Sequence, residues 1–591
     1  MNNLASRLHR PARRRSASVA VLATSTLAML GAIPVIGHAS SPTPPGFTKH
    51  TVDPALAGGE PLVTYYSNAT NGADLAYTSH EGTTHLFRDG IISPDPTNDN
   101  ICSVPTVPPS TAPGGFVCSY NNQVNVWTST DQGSTWQRTT TVQNGVGQPA
   151  NVGTTSPFGV GFSDPDWSTD EGGWLYNTGI DLANDAVFAS KDGGRTFPAG
   201  NNNCHSGDRP WLAGGTSGEV FLATDTAADV STGLSSGHEI FRGVIQPPVG
   251  GIQTLNCYGA GGALIPSDPS GATGPGIADY GNSSTSRGGT YSAAGKLFYD
   301  HNVSTDGYHG SLVDPALFTN SDQTAGVGIS ILPNADAAFT NPAITQFPQQ
   351  FEVPGTNGTF AHWPSIGIDA NDIVYLVWDS NTTDGSGNLN NAIKLSTLDL
   401  KNTAAGFTAP VTITSPGASV LWPWVAVPTS VAGAGNVAVV WYQYDGLTNP
   451  DSGSGNVSLL ESSVFHANTV SPTVLGPTDA VGAPIHNGGL CQSGTTCVAT
   501  GQDRRLGDFF TDSVDQNGCV LIASGETTTQ PTAATSRPLF LQQTNGTSLT
   551  GATCAIPSVG LPEVPLAPLL VGAGVAATAI VASRRRRGFA A

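Results

Sequence analysis

The chain has 591 residues, of which 11% are charged, with 43 Asp plus Glu against 23 Lys plus Arg. Nine of the basic residues crowd the two ends (Arg7, Arg10, Arg13, Arg14, Arg15 and Arg584 to Arg587), so the stretch between them keeps 14 against 43, a net charge near −29. Such a surface repels phosphate backbones and excludes nucleic acid as an expected partner, and 72 Gly with 43 Pro suit a loop-rich β protein better than a helical one.

In chain order, the Arg-rich start, the apolar run from Val19 to Ile36 and the small-x-Ala site Gly37-His38-Ala39 predict a secretory signal peptide over residues 1–39. The triple Arg is compatible with a twin-arginine route, although the Ser-Ala-Ser-Val that follows fits that signal poorly. Eight cysteines follow, all in the exported part: Cys102, Cys118, Cys204, Cys257, Cys491, Cys497, Cys519 and Cys554. An even count in an oxidising compartment reads as disulfides, and pairing each with its sequence neighbour closes only local loops. No CxxC or paired-His spacing points to zinc.

Two segments then carry the pattern S-x-D-x-G-x-T-[W/F], the Asp-box: Ser129, Asp131, Gly133 and Trp136 in the first, Ser190, Asp192, Gly194 and Phe197 in the second. Each follows an alternating strand, and Gly supplies the permissive backbone while Asp accepts turn hydrogen bonds. These residues are therefore expected to staple turns and to do no chemistry. A degenerate third copy starts at Ser79-His80-Glu81-Gly82.

A second repeat overlaps them. Asp208-Arg209-Pro210-Trp211-Leu212-Ala213, His362-Trp363-Pro364-Ser365-Ile366-Gly367 and Leu421-Trp422-Pro423-Trp424-Val425-Ala426 share one core, and a second β-rich run follows each. Ser163-Asp164-Pro165-Asp166-Trp167 and Arg505-Leu506-Gly507-Asp508-Phe509-Phe510 fit loosely. Repeated four-stranded units without helical periodicity predict an all-β fold, a six- or seven-bladed β-propeller filling the ectodomain at 40–553. The Gly/Ser/Pro-rich stretches 260–290 and 445–455 read as surface loops, and 554–563 as a stalk. Residues 564–583 form an uncharged run of membrane-spanning length ahead of the basic tail at 584–591, predicting a transmembrane helix with the ectodomain outside the cell. This end resembles the LPEVPLAPLL-type anchors of actinobacterial surface proteins.

The Asp-boxes, the Asp-Arg-Pro-Trp-Leu-Ala element, Trp363 to Asp369 and Arg504 to Phe510 together resemble the sialidase/BNR-repeat superfamily. The resemblance covers most of the ectodomain. It implies a propeller, and in sialidases a pocket where three Arg hold the sugar carboxylate while a Tyr nucleophile and an Asp acid/base act. Carried onto this chain, the catalytic candidates are Arg209, Arg287 and Arg505, Tyr291 as nucleophile, and Asp208. The family's first-Arg element, [Phe/Tyr]-Arg-Ile-Pro, is reduced here to Phe87-Arg88.

If each repeated element opens an inner strand, Asp164, Asp208, Arg209, His362, Trp363, Trp422, Trp424, Arg505 and Asp508 gather at one mouth of the central channel. Carboxylates beside Trp faces suit a sugar, although the Trp-Pro aromatics serve equally as core between blades. Acidic residues at Asp164, Asp166, Asp170 and Glu171, and at Asp95 to Asp99, admit structural calcium without EF-hand spacing; a solvated acidic loop is the plainer reading. Two functions follow: a cell-surface glycoside hydrolase of exo-α-sialidase type, or a non-catalytic propeller that binds glycans or surface glycoproteins. A third is a structural spacer.

Overall fold

The computed structural model describes residues 41–554 apart from several stretches, the longest at 81–123, 140–162, 227–237, 266–274 and 280–294. Strand β1 (Gly46–Thr51) is set aside by the chain at the start and used last. Blade 1 holds β2 (Leu62–Asn68), β3 (Gly72–Ser79), β4 (Asn125–Ser129) and β5 (Gln137–Arg138); blade 2 holds β6 (Ser163–Thr169), β7 (Leu175–Ile180), β8 (Asp185–Ser190) and β9 (Ala199–His205). Blade 3 holds β10 (Gly207–Gly214), β11 (Glu219–Thr226), β12 (His238–Ile245), β13 (Leu255–Tyr258), β14 (Leu264–Ile265) and β15 (Ile277–Ala278). Blade 4 holds β16 (Phe298–Tyr299), β17 (Leu312–Thr319), β18 (Ala325–Leu332) and β19 (Gln349–Glu352). Blade 5 holds β20 (Ser365–Ile368), β21 (Ile373–Asp379), β22 (Ile393–Asp399) and β23 (Val411–Thr412). Blade 6 holds β24 (Val420–Ala426), β25 (Val437–Tyr444), β26 (Asn456–Phe465), β27 (Thr473–Asp479) and β28 (His486–Asn487). Blade 7 holds β29 (Thr511–Val514), β30 (Val520–Glu526) and β31 (Arg537–Asn545), on whose outer edge β1 pairs antiparallel.

Seven blades therefore resolve the expected six or seven. The innermost strands β2, β6, β10, β16, β20, β24 and β29 touch in that order and return from β29 to β2, closing the ring. Closure by β1 on β31 joins the two ends of the propeller and removes a sheet edge. Among the described residues α-helix is confined to α1 (Ala335–Phe339) and the single residue Cys497, and no helix is long and apolar enough to cross a membrane. The predicted signal peptide, stalk beyond Cys554, transmembrane segment and tail lie outside the described residues.

Both Asp-boxes join the third strand of a blade to its fourth. In the first, Asp131 Oδ1 accepts from Ser129 Oγ and Thr135 N at 2.8 Å each, and Oδ2 from Thr135 Oγ1 at 2.6 Å. The second repeats this around Asp192, with Ser190 and Thr196 at 2.8, 2.8 and 2.6 Å. Trp136 meets Tyr77 edge-on at 5.6 Å and Phe540 of blade 7 at 5.2 Å, so the closing aromatic is a wedge between blades. Of the degenerate third copy, Ser79 ends β3, while Glu81 and Gly82 lie outside the described residues.

A further staple carries no box signature. Asp170 accepts from Trp174 N, from the Tyr176 hydroxyl and from Gly218 N of the next blade at 2.8, 2.8 and 2.6 Å. Asp369 does the same with Ile373 N, Tyr375 and Gly435 N at 3.1, 2.8 and 2.9 Å. One carboxylate thus closes a hairpin and pins the neighbouring blade. Disulfides join Cys204 to Cys257, Cys491 to Cys497 and Cys519 to Cys554, as neighbour pairing anticipates; Cys102 and Cys118 lie outside the described residues. Three disulfides mark a domain built for an oxidising compartment.

The expected loop at 260–290 is partly sheet. Leu264-Ile265 and Ile277-Ala278 extend blade 3 because Ile265 and Ile277 find buried apolar sites against it, which their Gly/Pro-rich surroundings conceal.

Candidate active site at the channel mouth

All seven inner strands run the same way, so their first residues meet at one mouth. Four of them open on a residue held at left-handed φ just before a proline: Glu60 (49°), Asp164 (52°), Arg209 (56°) and Trp422 (51°). Proline ordinarily drives its predecessor to extended backbone, and a non-glycine residue at positive φ costs about 1–3 kcal/mol. Bulges accompany three of them, between Ser163 and Asp166, Asp208 and Trp211, and Leu421 and Trp424. The extra residue turns Asp164 and Arg209 out of the ladder at the mouth.

Charged side chains converge there from blades 1, 2, 3 and 7. Glu60 is buried, and its carboxylate accepts from Asp508 N at 3.1 Å, from Asp164 N at 3.3 Å and from Ser163 Oγ at 3.3 Å. Arg504 grips Asp508 with both terminal nitrogens, and Arg209 Nη2 lies 3.7 Å from Asp508 Oδ2. Burial, together with the negative charge of Asp508, pushes Glu60 up to about 7 despite Arg504. Burial and the carboxylates of Glu60 and Asp208 push Asp164 well above the usual carboxylate range, although Ser163 Oγ donates to its Oδ1 at 2.6 Å. Carboxyls buried close together disfavour simultaneous ionisation, which favours a protonated acid at higher pH than usual. Asp208 is exposed and Asp164 part-exposed, so these two present the cluster to solvent.

An aromatic plug forms the floor. Trp211 of blade 3 meets Trp424 of blade 6 at 5.6 Å and Phe509 of blade 7 at 4.9 Å, spanning the channel. All three are buried, so Trp424 belongs to the core, the plainer of its two expected roles. Beneath the mouth Lys296 Nζ, buried with Asp166, donates to the carbonyls of Trp167 and Leu212 at 2.7 and 3.2 Å and ties blades 2, 3 and 4 together.

Of the residues singled out in the sequence, Asp164, Asp208, Arg209 and Asp508 are brought together. Arg505 is directed elsewhere: its Nε and Nη2 bind Asp503 at 3.0 and 2.6 Å. His362 is buried between Asp379 at 2.7 Å and Gln492 at 2.6 Å. Burial opposes its protonation, yet Asp379, Gln492 and the charge of Asp508 raise it above an ordinary histidine. Trp422 is buried edge-on to His362 and Tyr442 at 5.8 Å from each. Arg287, Tyr291 and Trp363 lie outside the described residues, as do Asp95 to Asp99. The remaining acidic loop sends its carboxylates to different partners: Asp164 to Ser163 Oγ, Asp166 to Lys296, Asp170 to backbone amides, and Glu171 to His301 at 3.5 Å.

Sequence reasoning overlooks Glu60 and undervalues Arg504. The signal for Glu60 is Gly59-Glu60-Pro61-Leu62, a copy of the x-Pro-apolar strand opening that lacks the tryptophan. For Arg504 the signal is the i, i+4 spacing to Asp508.

Comparison of the sequence with models of known families and with characterised proteins finds no match. Among solved structures, the chain is similar to Trypanosoma rangeli sialidase in complex with the inhibitor DANA at 10% identity and TM-score 0.33, covering 65% of this chain and 55% of the sialidase. The Dos1 propeller gives 11% identity and TM-score 0.37 over 86% and 97% of the two chains. Penicillium chrysogenum α-L-arabinanase gives 15% identity and TM-score 0.33 over 68% and 93%. The chain spans little more than half of the sialidase's length, and at these scores the likeness is distant.

Proposed function

We propose that this chain is an exported, surface-tethered propeller that cleaves glycosides at its channel mouth, with Asp164 as general acid. The observation that carries the reading is the close packing of two carboxyls, Glu60 and Asp164, with Asp164 N donating to Glu60 at 3.3 Å beside the exposed carboxylate of Asp208. Glycoside hydrolysis needs one carboxyl protonated near working pH, to donate to the leaving oxygen, and a second carboxylate across the bond. Asp164 reaches solvent; Glu60 is buried and acts as a positioning residue that keeps the proton on its neighbour. Asp208 supplies the second carboxylate.

Arg209 and Arg504 share Asp508, and Arg505 is bound to Asp503, so positive charge at the mouth is largely compensated. That balance favours sugars without a carboxylate. Exo-α-sialidase activity on terminal acidic sugars is the narrower form of the proposal, and needs Arg287 and Tyr291 to join Arg209. The alternative, a mouth that binds glycans or surface glycoproteins without cleaving them, draws on Glu60 itself, whose bonds to Asp164 N and Asp508 N stitch blades 1, 2 and 7 as a structural buttress would.

Turnover of aryl glycosides by the full-length protein between pH 4 and 8, with neutral hexosides, pentosides and a sialoside in one panel, tests the reading. Asp164→Asn is expected to lose on the order of 10²–10⁴ in kcat, and Glu60→Gln to shift the basic limb of the pH profile to lower pH by removing a like charge. Absence of turnover with every substrate, or an undiminished Asp164→Asn, refutes hydrolysis. Glycan binding without turnover assigns the alternative.

A further inference from the structure

Away from the mouth, the seam between blades 3 and 4 buries a second charged cluster. His238 opens β12; Asp279 follows β15, which pairs with β12; Asp314 is the third residue of β17 in the next blade. All three are at most 3% exposed. His238 Nδ1 lies 2.8 Å from Asp279 Oδ2 and 3.3 Å from Asp314 Oδ2, and one donor atom from each residue lies within 4.8 Å of the others.

We infer that His238, Asp279 and Asp314 form a structural site for a first-row divalent metal of the Zn²⁺ class, which fastens blade 3 to blade 4. Charge is the first argument. Two carboxylates buried together repel one another unless a proton or a cation stands between them, and a divalent cation with neutral histidine brings the group to zero. Unanswered polar atoms are the second, independent one. Asp314 Oδ1 is buried without a hydrogen-bond partner, and so is the hydroxyl of Ser330, which stands opposite Asp314 in the β17–β18 register and shares its face of the sheet.

The donor set selects the metal. One imidazole nitrogen with two carboxylate oxygens suits Zn²⁺ and Mn²⁺, while Ca²⁺ prefers six to eight oxygens. Ligands about 2.0–2.1 Å from a tetrahedral centre stand roughly 3.3 Å apart, close to the 2.8 and 3.3 Å between His238 Nδ1 and the two carboxylates. Three protein donors leave one position for water.

The full-length protein, stripped with chelator and dialysed against Zn²⁺ alone, is expected to retain about one equivalent by elemental analysis and to melt at a higher temperature than the stripped form. Asp314→Asn is expected to weaken retention by more than about 100-fold, because loss of a direct ligand exceeds the 10–100-fold typical of an outer-shell partner. X-ray absorption on the wild-type adduct needs no variant to fold: a nitrogen/oxygen shell with a single imidazole supports the site. Several imidazoles, Zn²⁺ below a tenth of an equivalent, or equal retention by Asp314→Asn overturns it.

Discussion

Replacing Glu461 by Gln isolates one buried charge at the seam of blades 6 and 7. Glu461 lies within β26; its Oε1 accepts from Ser463 Oγ at 2.6 Å, and its Oε2 has no partner among the described residues. Burial pushes it up to about 8 from 4.5, and burial and the Glu461 charge also push Asp512 on β29 well up. Because the folded value is raised, the unfolded chain releases its proton first. Stability is therefore fully present below pH 4.5 and is lost as pH rises through about 8. Each pH unit in that window is worth about 1.4 kcal/mol, which bounds the loss from this residue at about 5 kcal/mol. Gln keeps the shape without the titration, at a pH-independent cost of about 1–3 kcal/mol for an amide that lacks a partner. Urea unfolding at pH 5 and pH 8 is expected to show wild-type stability falling with pH, and the difference between the two pH values shrinking by several kcal/mol in Glu461→Gln. A variant that keeps the full wild-type slope refutes the reasoning.

Three further substitutions probe the packing. Gly133 and Gly194 hold equivalent Asp-box positions at φ 83° and 88°, but a Cβ on Gly133 would stand 2.1 Å from Phe540 Cε1, whereas on Gly194 its nearest neighbours are at 3.5 Å. Ala at either site costs the left-handed strain of about 1–2 kcal/mol, and Gly133→Ala a further ~1–3 kcal/mol of overpacking; equal losses in thermal unfolding would contradict the wedge between blades 1 and 7. Trp211→Ala removes the centre of the aromatic plug and is expected to cost about 3–5 kcal/mol. Stability within 1 kcal/mol of wild type in denaturant unfolding would show that the plug does not span the channel.

Local signals in this chain are legible where the residues concerned are near one another in sequence. The Asp-boxes specify their own turns, down to Ser129, Asp131 and Thr135 bonding within seven residues, and the x-Pro elements mark where inner strands begin. The site is another matter, because ring closure assembles it. Glu60 and Asp508 are 448 residues apart and meet only since β1 seals blade 7 and sets β2 beside β29. No periodicity in either neighbourhood encodes that meeting. The choice between Arg504 and Arg505 is subtler still. Both are buried, both bind a carboxylate, and they are adjacent; the backbone sends one guanidinium to Asp508 and the mouth and the other to Asp503. The turn that decides is Gly507, at φ 77°, where a Cβ would stand 2.2 Å from Glu60 Cγ. A glycine that reads in sequence as one turn among 72 is thus the point at which the last blade comes close enough to the first for Glu60 to touch Asp508. The acid pair at the mouth depends on that approach, since Glu60 reaches Asp164 from the same buried position.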